Sequence, residues 1–371
     1  MSAIPLSLYV HFPWCIRKCP YCDFNSHALR QDLPEKEYID ALINDLRAEQ
    51  QSEERRHLNS VFLGGGTPSL FSGDAVDQLL KHIEEFFSLT SSEITIEANP
   101  GTYDQSNFLI YRRAGVNRLS LGAQSFNQRY LQSLGRIHRT HDIFKAFSGA
   151  RSAGFSRINI DLMFGLPGQD ISDAMADLKQ AIGLNPEHIS WYQLTIEPNT
   201  VFHRFPPARP DEDTLAAMTK EGHRLLTENG FHQYEVSAFA RPGEAAQHNL
   251  NYWQFGDYIG IGAGAHGKLT RDGIIVRTQK TRIPSDYLAN TNRRQSEISS
   301  DDVTLEFLMN ALRLTEGFEL SLFSERTGQP TDRLAAFVDR ATERGFTEKQ
   351  GDWLVPTEQG RNFLDDLLLL H

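Results

Sequence analysis

The sequence has 371 residues, of which 40% are hydrophobic and 23% are charged, the balance of an ordinary globular protein. Its net charge of −11 argues against a nucleic-acid-binding protein, which normally carries a basic surface. No apolar run approaches the roughly 18–20 residues that span a bilayer, and the N-terminal residues lack the features of an export signal. We therefore expect a cytoplasmic protein of roughly two to three domains.

Short runs rich in β-branched and aromatic residues alternate with amphipathic segments through the first half of the chain. The runs predict strands at residues 6–12, 60–63, 93–97, 118–121, 157–163 and 188–195. The segments between them predict helices at residues 35–55, 73–87, 104–114, 141–153 and 172–183. Strand–helix repetition of this kind indicates parallel βαβ units, so the fold class is α/β, either a partial (β/α)6 barrel or a doubly wound sheet.

Each predicted strand ends in glycine or polar residues, and three of these ends carry Glu97, Gln124 and Asp161. Turns alone explain the glycines, because turns favour Gly, Asn and Pro. The polar side chains at one common level are better explained by a site, since active sites of parallel α/β folds form at the carboxyl ends of the strands.

The second half of the chain has a different character after a proline-rich break at residues 204–210. A helix is predicted at residues 211–229, an extended segment at 231–240, and a glycine-rich segment at 256–267. Helices at residues 304–314, 320–325 and 331–344, a hairpin at 345–357 and a last helix at 358–370 suggest a winged-helix module. Its mixed charges favour packing or docking over DNA binding. The predicted domains are thus 1–205, 206–300 and 301–371.

All three cysteines of the chain, Cys15, Cys19 and Cys22, lie within eight residues. An odd number of thiols argues against disulfides, so the spacing favours a thiophilic metal centre. A zinc site with His11 or His27 as fourth ligand is the alternative. An iron–sulfur cluster usually has four thiolates, and three on a four-iron cluster would leave one iron open to another ligand.

The pattern CxxxCxxC after the first strand, followed by GGGTP after the second, resembles the radical S-adenosylmethionine (SAM) superfamily. The resemblance implies a partial barrel over residues 1–205 and a [4Fe-4S] cluster held by the three cysteines. It also implies that the amino and carboxylate groups of SAM chelate the open iron. These matches together favour the cluster over zinc.

The resemblance also implies that residues around the cluster loop and at the strand ends contact the cofactors. These residues are Tyr9, Tyr21, Gly65, Gly66, Thr67, Glu97, Gln124, Arg136 and Asp161. Glycines without side chains would let the backbone approach the methionine amino group, and Glu97 suits an ammonium or the ribose hydroxyls. Arg136 suits the methionine carboxylate, because guanidinium pairs with carboxylate through two hydrogen bonds.

The segments LYVHFPWC, LGRIH and DLMFGLPGQ are similar to the oxygen-independent coproporphyrinogen III dehydrogenase group. That enzyme typically carries a fourth cysteine where this chain has Phe24, and a longer segment before the cluster motif. The run HNLNYW instead matches the HNxxYW motif of the haem chaperone branch of the group, the HemW family. It implies haem contact by His248, Tyr252 and Trp253, with His266 as a second candidate ligand. Without the resemblance these aromatic residues would be read as core.

The resemblance therefore implies a haem chaperone that binds haem, a [4Fe-4S] cluster and SAM. It would pass haem to haem-dependent proteins, among them membrane-bound respiratory enzymes that could bring it to the inner membrane. No catalytic residue is assigned, and the enzymatic alternative is the coproporphyrinogen III dehydrogenase reaction. Homodimer formation is a further hypothesis.

Overall fold

A computed structural model describes residues 4–50 and 56–371. The end of the helix predicted at 35–55 falls outside the described residues, and its described part ends at Glu49. Within residues 4–50 and 56–371, no helix has both the length and the apolar character needed to cross a membrane.

The first half of the chain alternates strands and helices as the sequence predicts. In chain order its elements are β1 (Leu6–Phe12), β2 (Trp14–Cys15), β3 (His27–Ala28), α1 (Glu35–Glu49), β4 (Ser60–Gly65), α2 (Gly73–Phe86), β5 (Glu93–Ala98), α3 (Gln105–Arg113), β6 (Arg118–Gln124), α4 (Gln128–Ser133), α5 (Thr140–Ser152), β7 (Arg157–Phe164), α6 (Ile171–Gly183) and β8 (His188–Gln193). The six long strands are neighbours in the order β1-β4-β5-β6-β7-β8, and all run parallel. The predicted α/β architecture is confirmed.

The sequence positions these elements through caps and apolar faces. Ser72 accepts a hydrogen bond from the backbone of Ala75 at the start of α2, and Asp170 does the same for Asp173 at the start of α6. Strand β1 is buried along almost its whole length, as expected for a strand covered on both faces. One large apolar core therefore lies between the sheet and its helices.

The elements after residue 200 extend the same sheet at both of its ends. They are α7 (Val201–Arg204), α8 (Glu212–Glu228), β9 (His232–Glu235), β10 (Ala238–Ala240), α9 (Gln247–Trp253), β11 (Asp257–Ile261), β12 (His266–Arg271), β13 (Ile274–Lys280), α10 (Pro284–Ala289) and β14 (Arg293–Glu297). The full order is β14-β13-β12-β11-β1-β4-β5-β6-β7-β8-β10-β9, and β11 runs parallel to β1. Helix α9, which carries the HNLNYW motif, therefore precedes a strand that pairs with the one leading into the cysteine loop.

The C-terminal residues form a small unit whose apolar core also includes Phe255 and Ile275. Its elements are α11 (Ser300–Ala311), β15 (Phe318–Glu319), α12 (Leu320–Thr327), α13 (Ala335–Glu343), β16 (Thr347–Gln350), β17 (Trp353–Pro356), α14 (Glu358–Asn362) and α15 (Leu364–Leu368). The three strands form a separate sheet in the order β15-β17-β16. Helices followed by a hairpin match the predicted winged-helix-like module, although the predicted last helix is two short helices that break at Phe363.

Candidate functional site: a cavity at the strand ends

A cavity of about 590 Å³ opens at the carboxyl ends of the parallel strands. It brings together the cysteines and most of the residues that the sequence analysis singled out: Cys15, Cys19, Tyr21, Cys22, Gly65, Gly66, Thr67, Glu97, Gln124, Arg136, Asp161 and Trp253. Four residues that the sequence analysis gave as cofactor contacts, Tyr9, His248, Tyr252 and His266, are not among those that line it. The cavity is large enough for a small-molecule cofactor and is placed where parallel α/β folds bind ligands.

The three cysteines are free thiols, partly exposed on the wall of this cavity. The backbone N–H of Cys22 donates to the carbonyl of Cys19 at 3.2 Å, which closes the loop into a turn. Burial raises the pKa of the Cys15 thiol to about 11, and burial also raises the pKa of Cys22. A metal centre bound to these thiols would offset the cost of burial, because its positive charge favours the thiolate.

The two histidines that the sequence offered as a fourth zinc ligand already have hydrogen-bond partners. Within the described residues, no three His, Cys, Asp or Glu side chains converge closely enough to hold one metal ion. His11, a candidate fourth ligand, has both ring nitrogens occupied: Nδ1 by the hydroxyl of Tyr9 at 2.9 Å and Nε2 by the carbonyl of Asn25 at 2.9 Å. Nε2 of the other candidate, His27, lies 3.4 Å from the side-chain oxygen of Asn25.

The glycines at the carboxyl end of β4 allow the chain to pass directly against the end of β1. Gly65 has a φ of +112°, and a Cβ there would lie 2.5 Å from the His11 ring. A Cβ on Gly66 would lie 2.6 Å from the carbonyl oxygen of Trp14. Larger residues would therefore push the cysteine loop away from the sheet, so these glycines set the position of the loop.

Two carboxyl groups lie together in the cavity. Glu97 accepts a hydrogen bond from the backbone N–H of Gly65 at 3.0 Å, and burial, followed by the charge of Asp161, raises its pKa to about 8. Burial also raises the pKa of Asp161, which accepts hydrogen bonds from Ser120 at 2.9 Å and Asn159 at 2.7 Å. A cationic ligand would reverse this cost by favouring both carboxylates.

Arg136 reaches across the cavity toward the cysteine loop. Its Nη2 donates to the Gly122 carbonyl at 2.8 Å, and its Nη1 lies 3.8 Å from the sulfur of Cys19. Its Nε is buried without a hydrogen-bond partner. A buried donor of this kind is costly unless a ligand satisfies it, and a carboxylate is the natural partner for a guanidinium.

Sequence reasoning missed several cavity residues. Ser120 and Gly122 lie four and two residues before Gln124 on β6. Residues two apart on a strand point to the same face, so this spacing could have predicted that all three line the cavity. Tyr192, whose hydroxyl donates to the Gln124 side-chain oxygen at 2.7 Å, lies on β8 and could have been found in the same way. Asn249 also lines the cavity.

Helix α9 places the residues of the HNLNYW motif in two different environments. His248 is only 6% exposed, with its ring stacked on Phe62 at 4.2 Å and packed edge-on against Tyr252 at 4.5 Å. Burial lowers the pKa of His248 to about 3, and its Nδ1 has no hydrogen-bond partner. Trp253 lines the cavity, with the guanidinium of Arg313 4.3 Å from its ring centroid and its own Nε1 unpaired.

The glycine-rich segment after β11 packs against His11 and Asn25, which flank the cysteine loop. A Cβ on Gly262 would lie 2.3 Å from the carbonyl oxygen of His11. The side chain of Asn25 donates to the carbonyls of Ala263 and Arg282, both at 2.8 Å. These glycines therefore permit close packing of two chain segments. His266, the second candidate haem ligand, is exposed at the end of this segment.

A buried tyrosine also links the two segments. The hydroxyl of Tyr38 donates to the carbonyl of His11 at 2.7 Å and accepts from the backbone N–H of Ala263 at 2.9 Å. The side chain of Tyr38 is fully buried. The cysteine loop is thus anchored from helix α1 as well as from the sheet.

Comparisons with known proteins agree with the fold described above. The family model described as the radical SAM superfamily matches residues 9–181, and the HemN C-terminal domain matches residues 298–363. The solved structure of coproporphyrinogen III oxidase (HemN) from Escherichia coli, described as a radical SAM enzyme, has a TM-score of 0.83 at 24% identity. It covers 99% of this chain and 90% of that one, and at this identity the likeness shows the fold alone.

Sequence relatives define the family more narrowly. The chain is 48% identical to "Heme chaperone HemW" of Escherichia coli (strain K12), over 99% of this chain and 98% of that protein. It is 34% identical to "Heme chaperone HemW" of Bacillus subtilis (strain 168), over 96% of each chain. The chain therefore belongs to the HemW family of haem chaperones, within the radical SAM superfamily.

Proposed function

We propose that this protein binds haem and transfers it to haem-dependent proteins, and that it holds a [4Fe-4S] cluster and SAM in the cavity described above. The observation that carries the proposal is the full-length similarity to haem chaperones, 48% identity over 369 residues. The cavity supports it, because the three thiols, the unpaired Arg136 Nε and the two buried carboxyls lie around one space.

Each cavity group has a distinct part in this proposal. The thiolates of Cys15, Cys19 and Cys22 would hold the cluster, which supplies an open iron and an electron when it is bound. Arg136 would pair with the methionine carboxylate through its free Nε. Glu97 and Asp161 would face the cationic or hydroxyl groups of SAM, while Gln124, Thr67 and Tyr21 complete the wall.

The rim of the cavity suits a flat apolar macrocycle. Ile16, Phe24 and Ile137 line it, with exposed fractions of 48%, 58% and 39%. Large apolar side chains exposed around one opening mark a binding surface, and Trp253 adds an aromatic face inside. We place haem across this rim, with Trp253 and Asn249 as its contacts from helix α9.

Haem titration of the anaerobically reconstituted protein, followed in the Soret band, tests the proposal. We expect stoichiometric binding that weakens in Phe24→Ala. The control Phe363→Ala removes an equally exposed phenylalanine (54%) from the C-terminal module and should bind as the wild type does. Absence of specific binding by the wild type would contradict the haem chaperone function.

The recipients of haem would be membrane-bound respiratory enzymes, so the protein would work at the inner membrane through them. Transfer assays with such an enzyme in its haem-free form would test this, and gel filtration with and without haem would show whether homodimers form. The competing function is oxidation of coproporphyrinogen III. Phe24, in place of a fourth loop cysteine, argues against it, and product analysis with the reduced, SAM-loaded protein would detect it.

A further inference from the structure

A continuous line of buried and partly buried hydrogen bonds runs from helix α9 to Asp161. The side-chain amide of Asn249 donates to the hydroxyl of Tyr234 at 2.9 Å. The same hydroxyl lies 2.9 Å from Nε2 of His188, whose Nδ1 lies 2.6 Å from the side-chain oxygen of Asn159. The amide of Asn159 donates to Asp161 at 2.7 Å.

Every bond in this line can be assigned one direction. His188 is neutral, because burial, together with the charges of Arg118 and Arg157, holds its pKa well below the usual range. A neutral imidazole donates from one nitrogen and accepts at the other. With Nδ1 donating to Asn159, Nε2 accepts from Tyr234, so each group donates toward Asp161.

Asp161 therefore collects donors that originate on helix α9. Its second oxygen accepts from Ser120 at 2.9 Å, and the amide of Asn159 also donates to Ser120 at 2.8 Å. Hydrogen bonds in a buried chain polarise one another, so a change of charge or partner at one end is felt along it. Both ends, Asp161 and Asn249, also border the cavity.

We propose that His188, Tyr234 and Asn249 are positioning residues that orient Asp161 and couple occupancy of the cavity by SAM to helix α9. A ligand that engages Asp161 would tighten the line and hold α9, the helix with the HNLNYW motif, in place. By linkage, SAM and a ligand that moves α9 would change each other's affinity by the same factor. This inference rests on the proposed function, since it takes the cavity as the SAM site.

Hydrogen–deuterium exchange of α9 with and without SAM, on the haem-free, cluster-loaded protein, tests the coupling. In the wild type we expect SAM to slow exchange of the α9 amides by about 5-fold or more, the lower end of usual coupling factors. Tyr234→Phe removes the central hydroxyl and should bind SAM without slowing α9. Asn249→Ala, which removes only the last link, should behave in the same way.

Tyr111→Phe is the matched control, because it removes one buried tyrosine hydroxyl, bonded to the carbonyl of Phe71, far along the chain from this line. It should keep the wild-type response, and its unfolding midpoint shows how much of any change in Tyr234→Phe is general destabilisation. Bound SAM that leaves wild-type α9 exchange unchanged, or a Tyr234→Phe variant that responds like the wild type, would overturn the coupling alone. A wild-type protein that does not bind SAM would contradict the proposed function as well.

Discussion

The ionisation of Glu97 predicts how SAM affinity should depend on pH. In the ligand-free protein burial raises the pKa of this carboxyl to about 8, so at pH 7 it is mostly protonated. A cationic ligand needs the carboxylate, and forming it costs about 1.4 kcal/mol at pH 7 and about 2.7 kcal/mol at pH 6, at 1.36 kcal/mol per pH unit. Binding therefore releases a proton from Glu97 below pH 8, and affinity rises with pH.

The variant Glu97→Gln isolates this contribution, because its side chain stays neutral at every pH. The amino group of SAM titrates in the same range and affects both proteins equally, so the informative quantity is the ratio of the two affinities. We expect the ratio of wild-type to variant affinity to rise about tenfold for each pH unit from 6 to 8, and to level off above pH 8. Equilibrium dialysis with the oxidised, cluster-loaded protein would measure it without cleavage of SAM.

A ratio that stays constant from pH 6 to 9 would refute the assignment of a cationic partner to Glu97. Glu197→Gln serves as the control, since it removes another carboxyl that lines the same cavity. If Glu197→Gln reproduced the pH-dependent ratio, general loss of negative charge would explain the result in place of the buried carboxyl.

Three further predictions concern the supports of the site. Tyr38→Phe leaves two buried backbone groups without their partner, so urea unfolding should show a loss of about 2–6 kcal/mol, at about 1–3 kcal/mol for each group. Tyr111→Phe leaves one such group, so its loss should be about half as large, and equal losses would contradict this. Gly66→Ala should reduce the iron bound per chain after reconstitution, because its Cβ would meet the backbone of the cysteine loop. In the control Gly183→Ala the Cβ would have no atom within 4 Å, so this variant should bind iron normally. Equal iron contents in the two variants would count against the steric argument. Burial raises the pKa of Asp177 to about 6 from 3.8, so its stabilising contribution is fully present only well below pH 3.8 and is lost as pH rises through 6. Relative to Asp177→Asn, the wild type should lose about 2.4 kcal/mol between pH 4 and 7. A difference in unfolding free energy that does not vary with pH would exclude this shift.

The sequence was sufficient to predict the repeating part of the fold. Strand β1 begins and ends where its apolar run does, and the other parallel strands were predicted within one to three residues of their ends. Their carboxyl ends necessarily meet at one edge of the sheet, so Glu97, Gln124 and Asp161 could be expected around one site. Local periodicity and a topological rule are enough for this inference.

The position of β11 could not be inferred in the same way. It lies beside β1 although about 250 residues separate them along the chain, through the register Leu6 opposite Asp257 and Val10 opposite Ile261. Pairing across such a distance depends on which strand edges remain free once the sheet has formed, which a local pattern does not encode. The reason for the glycines after β11 is likewise not local, because they let the chain pass against the carbonyl oxygen of His11.

The environment of His248 links the proposed haem site to the line of hydrogen bonds behind the cavity. Its ring stacks on Phe62 and does not line the cavity, so we infer that a shift of α9 would bring the imidazole to a cavity ligand. Breaking the stack costs about 0.5–1.5 kcal/mol. Exposing the unpaired Nδ1 to a partner recovers about 1–3 kcal/mol, so the two terms are of similar size. A small coupling energy transmitted through Tyr234 and Asn249 is therefore enough to bias the position of the helix, and SAM bound at Asp161 would favour the buried histidine.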